Sequence, residues 1–284
     1  MAKRNLNPIA PLPVGTACKL LSKDEKKLLS YFVTNLYGNV YGFQNLPQVV
    51  AGAVFAAYSR SPLSAREILV KKFLGDEEFL NLTGQIDAFL EAVEKHRPIV
   101  NPEKAEAFYD RVLVQYGDDS VAELATTHMA IENVSNVVVK LIEDRRIGIN
   151  PLEKSSRYVQ FNDRDDLGRY KYYRDEKLMT SKHRKLYAET MDALFDFYAA
   201  MIEPMKASMS QKFPQKEGQS DTAYGAALRA QACDVLRYLL PMGTLTNVGL
   251  VGNGRAFEYL ITCLLASPFA EAHDIAQKLL DELH

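Results

Sequence analysis

Apolar residues recur at helical spacing along most of this chain. Leu28, Leu29, Phe32 and Leu36 form a first face, and the "SKDE" before it places Ser22 and Glu25 as a capping box for the free amides at the helix start. A second box, Ser64 and Glu67, opens "SAREILVKKFLG", with Gly75 expected to end that helix. Asn101 and Pro102 mark a third start, followed at helical spacing by Ala105, Phe108, Tyr109, Val112, Leu113 and Tyr116. Later faces run from Leu186 through Leu194 and Phe197 to Met201, and from Leu228 through Val235 and Leu236 to Leu239, where Pro241 stops the pattern. Two more follow, from Phe257 to Leu265 and, beyond Ser267 and Pro268, from Ala272 to Leu283.

Other regions break that period. In "DDSVAELATTHMAIENVSNVVVKLIEDRR" the front half fits either a buried strand or a helix opened by Ser120 and Glu123, whereas Val134 to Ile142 reads as a buried helix despite its β-branched residues. Beyond it, "RYVQF" and "RYKYYR" flank the turn-prone "NDRDDLG", which predicts a hairpin. The stretch "RYLLPMGTLTNVGLVGNGR" reads as the end of a helix and a glycine-rich connection to the next. Residues 1 to 17 carry three prolines and no apolar period, the pattern of an extended arm, and Gln211 to Asp221 read as a polar loop. No repeat or linker divides the chain. The expectation is a single α+β unit over 1–284, helix-rich with a small, mainly antiparallel sheet, in which 1–100 is a helical leading segment and 101–284 carries the polar motifs.

Composition narrows function by exclusion. The chain has 284 residues, 47% of them hydrophobic, which is enough for a substantial core. A net charge of -2 argues against general nucleic-acid binding, which rests on a cationic excess, so any anion site is local. Cys18, Cys233 and Cys263 sit among apolar residues at spacings that suit neither a disulfide framework nor a zinc set, as expected of a reduced, cytoplasmic setting. No apolar run approaches the ~18 residues of a membrane span, and the leading "MAKRNLNPIAPLPVG" has no apolar stretch of a signal. The five histidines include no pair at metal-ligand spacing, and His128, in an apolar context, reads as a core histidine. No dinucleotide fingerprint, P-loop or nucleophile elbow is present.

Two clusters retain anion-binding chemistry. Glu153, Lys154, Ser155, Ser156, Arg157 and Tyr158 follow Pro151, where turn amides and hydroxyls can surround a phosphate and Arg157 can grip it through two hydrogen bonds. Further on, Thr246, Asn247, Asn253 and Arg255 lie among glycines that let backbone approach a ligand. A third stretch, "RYKYYRDEKLMTSKHRK", interleaves aromatic and basic residues as single-strand nucleic-acid platforms do, but Asp175 and Glu176 interrupt it, and a solvated hairpin is the better account.

Taken in order, the two clusters resemble the flavin-dependent thymidylate synthase (ThyX) family, whose signature reads RHRxxSxNExSxRY. Glu153, Ser155, Arg157 and Tyr158 match its end, after a segment closing on "EDRR", Glu143 to Arg146. The family's second pattern, ARxxLP followed by T and NxRxL, is echoed without a gap by Arg237, Leu240, Pro241, Thr246, Asn253 and Arg255. The similarity covers roughly Tyr109 to Ala276, and residues 1–100 look closer to the leading segment of a longer subgroup. The resemblance implies a ThyX-like fold and a homotetramer with FAD and dUMP sites between subunits. It also implies conversion of dUMP to dTMP with methylenetetrahydrofolate and reduced FAD, NADPH reducing the flavin. Under it, Glu153, Ser155, Arg157, Tyr158 and Arg237 hold the nucleotide, and Arg145 or Arg146, with Asn253 and Arg255, contact FAD.

The chain departs from the family in four places. Glu143 and Asp144 stand where the signature is basic, and an insertion of one or two residues separates the arginines from Glu153. Leu124 replaces an upstream histidine, and the arginine that faces the uracil ring falls on Leu264, counting from Asn253. Loss of such a donor costs about two to three orders of magnitude in rate. A catalytically inactive nucleotide-binding or assembly protein is therefore the alternative.

Overall fold

The computed structural model describes residues 22–74, 119–165 and 167–283, with positions 91, 107 and 111 besides. The expected arm over 1–17, the stop at Gly75 and the helix opened by Asn101 and Pro102 lie outside the described residues.

The first part of the chain forms α1 (Lys23–Phe32), β1 (Val40–Phe43), α2 (Gln48–Tyr58) and α3 (Ala65–Ile68), which continues as a π-helical segment (Leu69–Phe73). A 3-10 turn (Asp119–Leu124) then leads into β2 (Thr126–Ser135), α4 (Asn136–Glu143) and β3 (Ile149–Glu153). The remainder comprises α5 (Glu176–Thr180), α6 (Arg184–Lys212), α7 (Asp221–Leu236), a 3-10 turn (Arg237–Leu239), β4 (Leu245–Asn253), α8 (Gly254–Leu265) and α9 (Ala270–Leu283). The sheet has the order β1-β2-β4-β3, antiparallel throughout, so the expected α+β class with a small antiparallel sheet is observed.

Strand alternation places the sheet between two helical layers. Val40, Met129, Ile131, Val248 and Leu250 join one core cluster with residues of α4, α8 and α9, while Tyr41, Ala130 and Val251 face the opposite way, into a cluster with α1, α2 and α3. Both predicted capping boxes form: Ser22 Oγ accepts from Glu25 N at 3.1 Å, and Ser64 Oγ from Glu67 N at 3.1 Å, each with the reciprocal glutamate bond.

The ambiguous front half resolves into the short 3-10 turn and then β2. Val134 and Ser135 belong to that strand, and the helix begins one residue later because Ser135 Oγ accepts from Val138 N at 3.3 Å. Four expectations fail, the first at α6, which buries Met191, Phe195, Tyr198 and Ile202 and leaves Leu186 and Phe197 of the expected face exposed. "RYVQF" is a turn and loop, and the strand lies before it, over Ile149–Glu153, where Pro151 is tolerated because β3 is an edge strand. "RYKYYR" makes only the isolated bridges Arg164 to Tyr170 and Tyr172 to Thr244, because its rings are recruited by α6: Tyr170 stacks on Phe195 with centroids 4.9 Å apart. The glycine-rich "connection" is also no loop. Leu245–Asn253 is the interior strand β4, flanked by β2 and β3.

Candidate functional site

At one end of the sheet, β4 runs directly into α8 and the loop before β3 crosses the junction. Asn253 caps α8, its Oδ1 accepting from Ala256 N at 2.8 Å, and Gly254 N donates to Ala125 O at 3.0 Å. Gly148 has φ 75°, and a Cβ there would sit 2.8 Å from the Ala256 Cβ, so only glycine lets the loop pass. Glu123, Gly148, Asn253, Arg255 and Tyr259 line a cleft of about 450 Å³. Two first-turn amides are already satisfied, so the cleft's anion-binding capacity rests on side-chain donors, chiefly Arg255. That guanidinium pairs with Glu123 at 2.7 Å, both half exposed, an exchangeable contact of at most about 1 kcal/mol. Arg145 leans toward Cys263 on α8, whose thiol is the main cause raising its pKa, and its Nε is buried without a hydrogen-bond partner. Arg146 is exposed and is not among the cleft residues.

The second predicted cluster lies at the other end of β3. Ile149 pairs with Gly252 and Glu153 with Val248, so four residues of extended chain, roughly 13 Å, separate the two positions. Beyond Glu153, Ser155 N donates to Ser59 O at 2.7 Å, and Ser155 Oγ accepts from Arg157 N at 3.4 Å. Ser155 therefore shapes the turn that presents Arg157. The Arg157 Nε and the Arg237 Nη2 lie 3.3 Å and 3.2 Å from the same oxygen, Asp234 Oδ1. Two guanidiniums from distant segments thus converge on one carboxylate oxygen. Tyr158 stands beside them, with Arg60 at 5.2 Å and Arg157 at 6.0 Å from its ring centre.

The remaining loop residues turn inward. Burial, and next the neighbouring Glu143, push the Glu153 carboxyl up to about 7, with the Thr246 hydroxyl opposing. Such a group exchanges protons near neutrality, which suits it to acid–base work better than to binding phosphate. Lys154 is buried against Tyr58 and donates to Pro62 O at 3.3 Å; burial brings its pKa down to about 8. His128 packs on Phe55 at 6.0 Å between centroids, and partial burial lowers its pKa.

Of the predicted nucleotide residues, the structure brings Arg157, Tyr158 and Arg237 together with Ser155 beneath them, and turns Glu153 into the protein. Of the predicted cofactor residues, Asn253 and Arg255 share the cleft, Arg145 stands near it against Cys263 and Tyr259 of α8, and Arg146 is not among the cleft residues. Asp234 and Arg60 were not anticipated. Asp234 was findable, since it precedes Arg237 by one helical turn, whereas Arg60 at the end of α2 carries no local signal. Leu264, the position aligned with the ring-facing arginine, is 1% exposed in the main core cluster and faces no cleft.

An antiparallel sheet between helical layers, with Arg157 and Arg237 converging at one end of its edge strand and Arg255 in a cleft at the other, defines an α+β protein. Residues 69–284 match the family Thy1, described as thymidylate synthase complementing protein, and the chain belongs to that family. A UPF0159 protein of Chlamydia pneumoniae is 44% identical over 259 residues, 91% of this chain and 47% of that protein. A UPF0159 protein of Thermoplasma acidophilum is 34% identical over 204 residues, 64% of this chain and 41% of its own length. Among solved structures, ThyX from Helicobacter pylori with FAD and dUMP is similar at 17% identity and a TM-score of 0.37, covering 71% of this chain and 86% of that one. The chain spans about half the length of the curated relatives it matches. No helix among the described residues is long and apolar enough to cross a membrane.

Proposed function

We propose that this chain is a protein of the flavin-dependent thymidylate synthase type, converting dUMP to dTMP with methylenetetrahydrofolate and reduced FAD. The observation that carries the reading is the convergence of Arg157 and Arg237 on Asp234 Oδ1. Guanidiniums spaced around one oxygen are arranged as a phosphate requires, and the phosphate of a uracil nucleotide takes the place of the carboxylate between them. Ser155 holds the Arg157 turn, and Tyr158 closes the side. Glu153, raised to about 7 by burial, precedes that turn as a group able to exchange a proton.

The cleft at the start of α8 fits the diphosphate of FAD in chemistry: Arg255 and the Asn253 amide offer donors, the Glu123 contact is exchangeable, and Gly148 lets backbone approach. Its volume, about 450 Å³, takes part of a dinucleotide and leaves the rest to a neighbouring chain, in keeping with a homotetramer whose sites lie between subunits. When bound, the flavin supplies the hydride, NADPH having reduced it, so no enzyme thiolate is needed.

One observation favours a second reading, a nucleotide-binding or assembly module without turnover: Leu264 lies in the core and presents no donor to a uracil carbonyl. Titration of the purified chain with FAD, followed by flavin fluorescence with and without dUMP, tests both. Saturable micromolar binding that tightens with dUMP is expected. Nucleotide binding without flavin binding favours the second reading, and binding of neither sinks both for this chain alone.

A further inference from the structure

A second cleft, of about 440 Å³, opens between the 164–174 segment and the first turns of α6, built from residues outside both family motifs. Five cationic side chains line it against two carboxylates. Arg164 pairs with Asp196 at 2.8 Å, and Arg169 with the buried Asp165 at 2.9 Å. Lys185 reaches Glu189 only at 3.7 Å on an exposed helix face, where solvent screens the pair. Arg174 and Arg184 remain, and neither makes an ion pair among the described residues.

Arg174 is held in one pose. It donates to the carbonyls of Tyr172 and Tyr170 at 3.0 Å and 3.1 Å, its guanidinium lies 3.8 Å above the Tyr172 ring, and burial depresses its pKa. A guanidinium kept partly out of water, fixed by two carbonyls and attracted by Asp192 without an ion pair to it, gains from an anionic ligand. The Tyr170 and Tyr172 rings beneath are 3% and 2% exposed, so no base can stack on them and this surface is no single-strand nucleic-acid platform. The volume falls within the ~300–1,000 Å³ typical of small-molecule sites.

We propose that this cleft is a separate binding site for a multiply charged phosphate chain, the di- or triphosphate group of a small molecule, with Arg174 and Arg184 as its principal ligands. Its location sets it apart from the α8 cleft. Tyr172 bridges to Thr244, just before β4, whereas the α8 cleft lies at Asn253, the other end of that strand, nine residues or about 30 Å away. A ligand here reaches no group in the α8 cleft of the same chain, so the site adds an effector or an independent ligand to the proposed reaction.

Calorimetric titration of the full chain with sodium tripolyphosphate at low salt tests this. Saturable binding is expected, weakened at least tenfold in Arg174→Gln and in Arg184→Gln, and changed less than twofold in Lys278→Ala, on α9 away from both clefts. Arg174 also ties two backbone carbonyls; if Arg174→Gln fails to fold, the exposed Arg184→Gln decides. No saturable binding at millimolar tripolyphosphate, retention in the glutamine variants, or a loss confined to Arg157→Ala overturns the proposal. Citrate binding more tightly than tripolyphosphate overturns the assignment to phosphate.

Discussion

A carboxyl mostly withdrawn from water beside a second carboxylate keeps its proton, and Glu153 does so up to about pH 7. In an unfolded chain the same group titrates near ~4.3. The folded state therefore binds the proton more tightly, and stability falls as pH rises from about 4.3 to about 7. Glu153→Gln removes that dependence. The variant is expected to match the parent at pH 4 and to exceed it at pH 7.5 by an amount of order 2 kcal/mol, measured by urea unfolding at both values. Lys154, brought down to about 8 by burial, acts above that window and with the opposite slope, stability rising with pH between about 8 and its unfolded value. At the phosphate position, Arg157→Ala is expected to weaken dUMP binding by about 1.5–3 kcal/mol, the scale for hydrogen bonds to charged groups. An unchanged dissociation constant would reduce the Asp234 convergence to a surface ion-pair network.

At the scale of the element, β4 explains why its glycines are present. A Cβ on Gly249 would lie 2.7 Å from Phe55 Cγ, inside the ring that α2 lays on the sheet. Gly252 faces the other layer, where a Cβ would meet Ile149 Cγ1 at 2.9 Å. These glycines are contact points between an interior strand and its covering layers, and that is why a glycine-rich segment is a strand here. Gly249→Ala is expected to cost about 1–3 kcal/mol, the usual range for overpacking a close-packed site, read as a lower urea midpoint at constant slope. Full retention of stability would mean that α2 rides loosely on the sheet. The edge strand β3 joins both candidate positions, with the loop at Gly148 before it and the Ser155 turn after it, so a change in its register moves both.

For the whole molecule, the proposed reading shares the flavin site at the α8 cleft between neighbouring chains. FAD affinity should then rise with protein concentration, alongside the sedimenting mass. Much of this architecture was readable locally: the capping boxes at Ser22 and Ser64, the helix stop near Pro241, and the order of the two motifs, because capping and amphipathic spacing act within a few residues. The hairpin was misread because Tyr170 and Tyr172 have the same composition whether they pair with a strand or pack on Phe195, and only the position of α6 decides between the two. The sequence by itself determined the capped helix starts and the family, but not the buried face of α6, which is Met191, Phe195, Tyr198 and Ile202 rather than the expected line through Leu186 and Phe197. Tertiary structure decided that β4 is an interior strand, that Asp234 gathers Arg157 and Arg237 at one end of β3 while Asn253 and Arg255 lie at the other, and that burial pushes Glu153 up to about 7. Strand pairing, ion pairing and desolvation all depend on groups distant in sequence, and no local pattern encodes them.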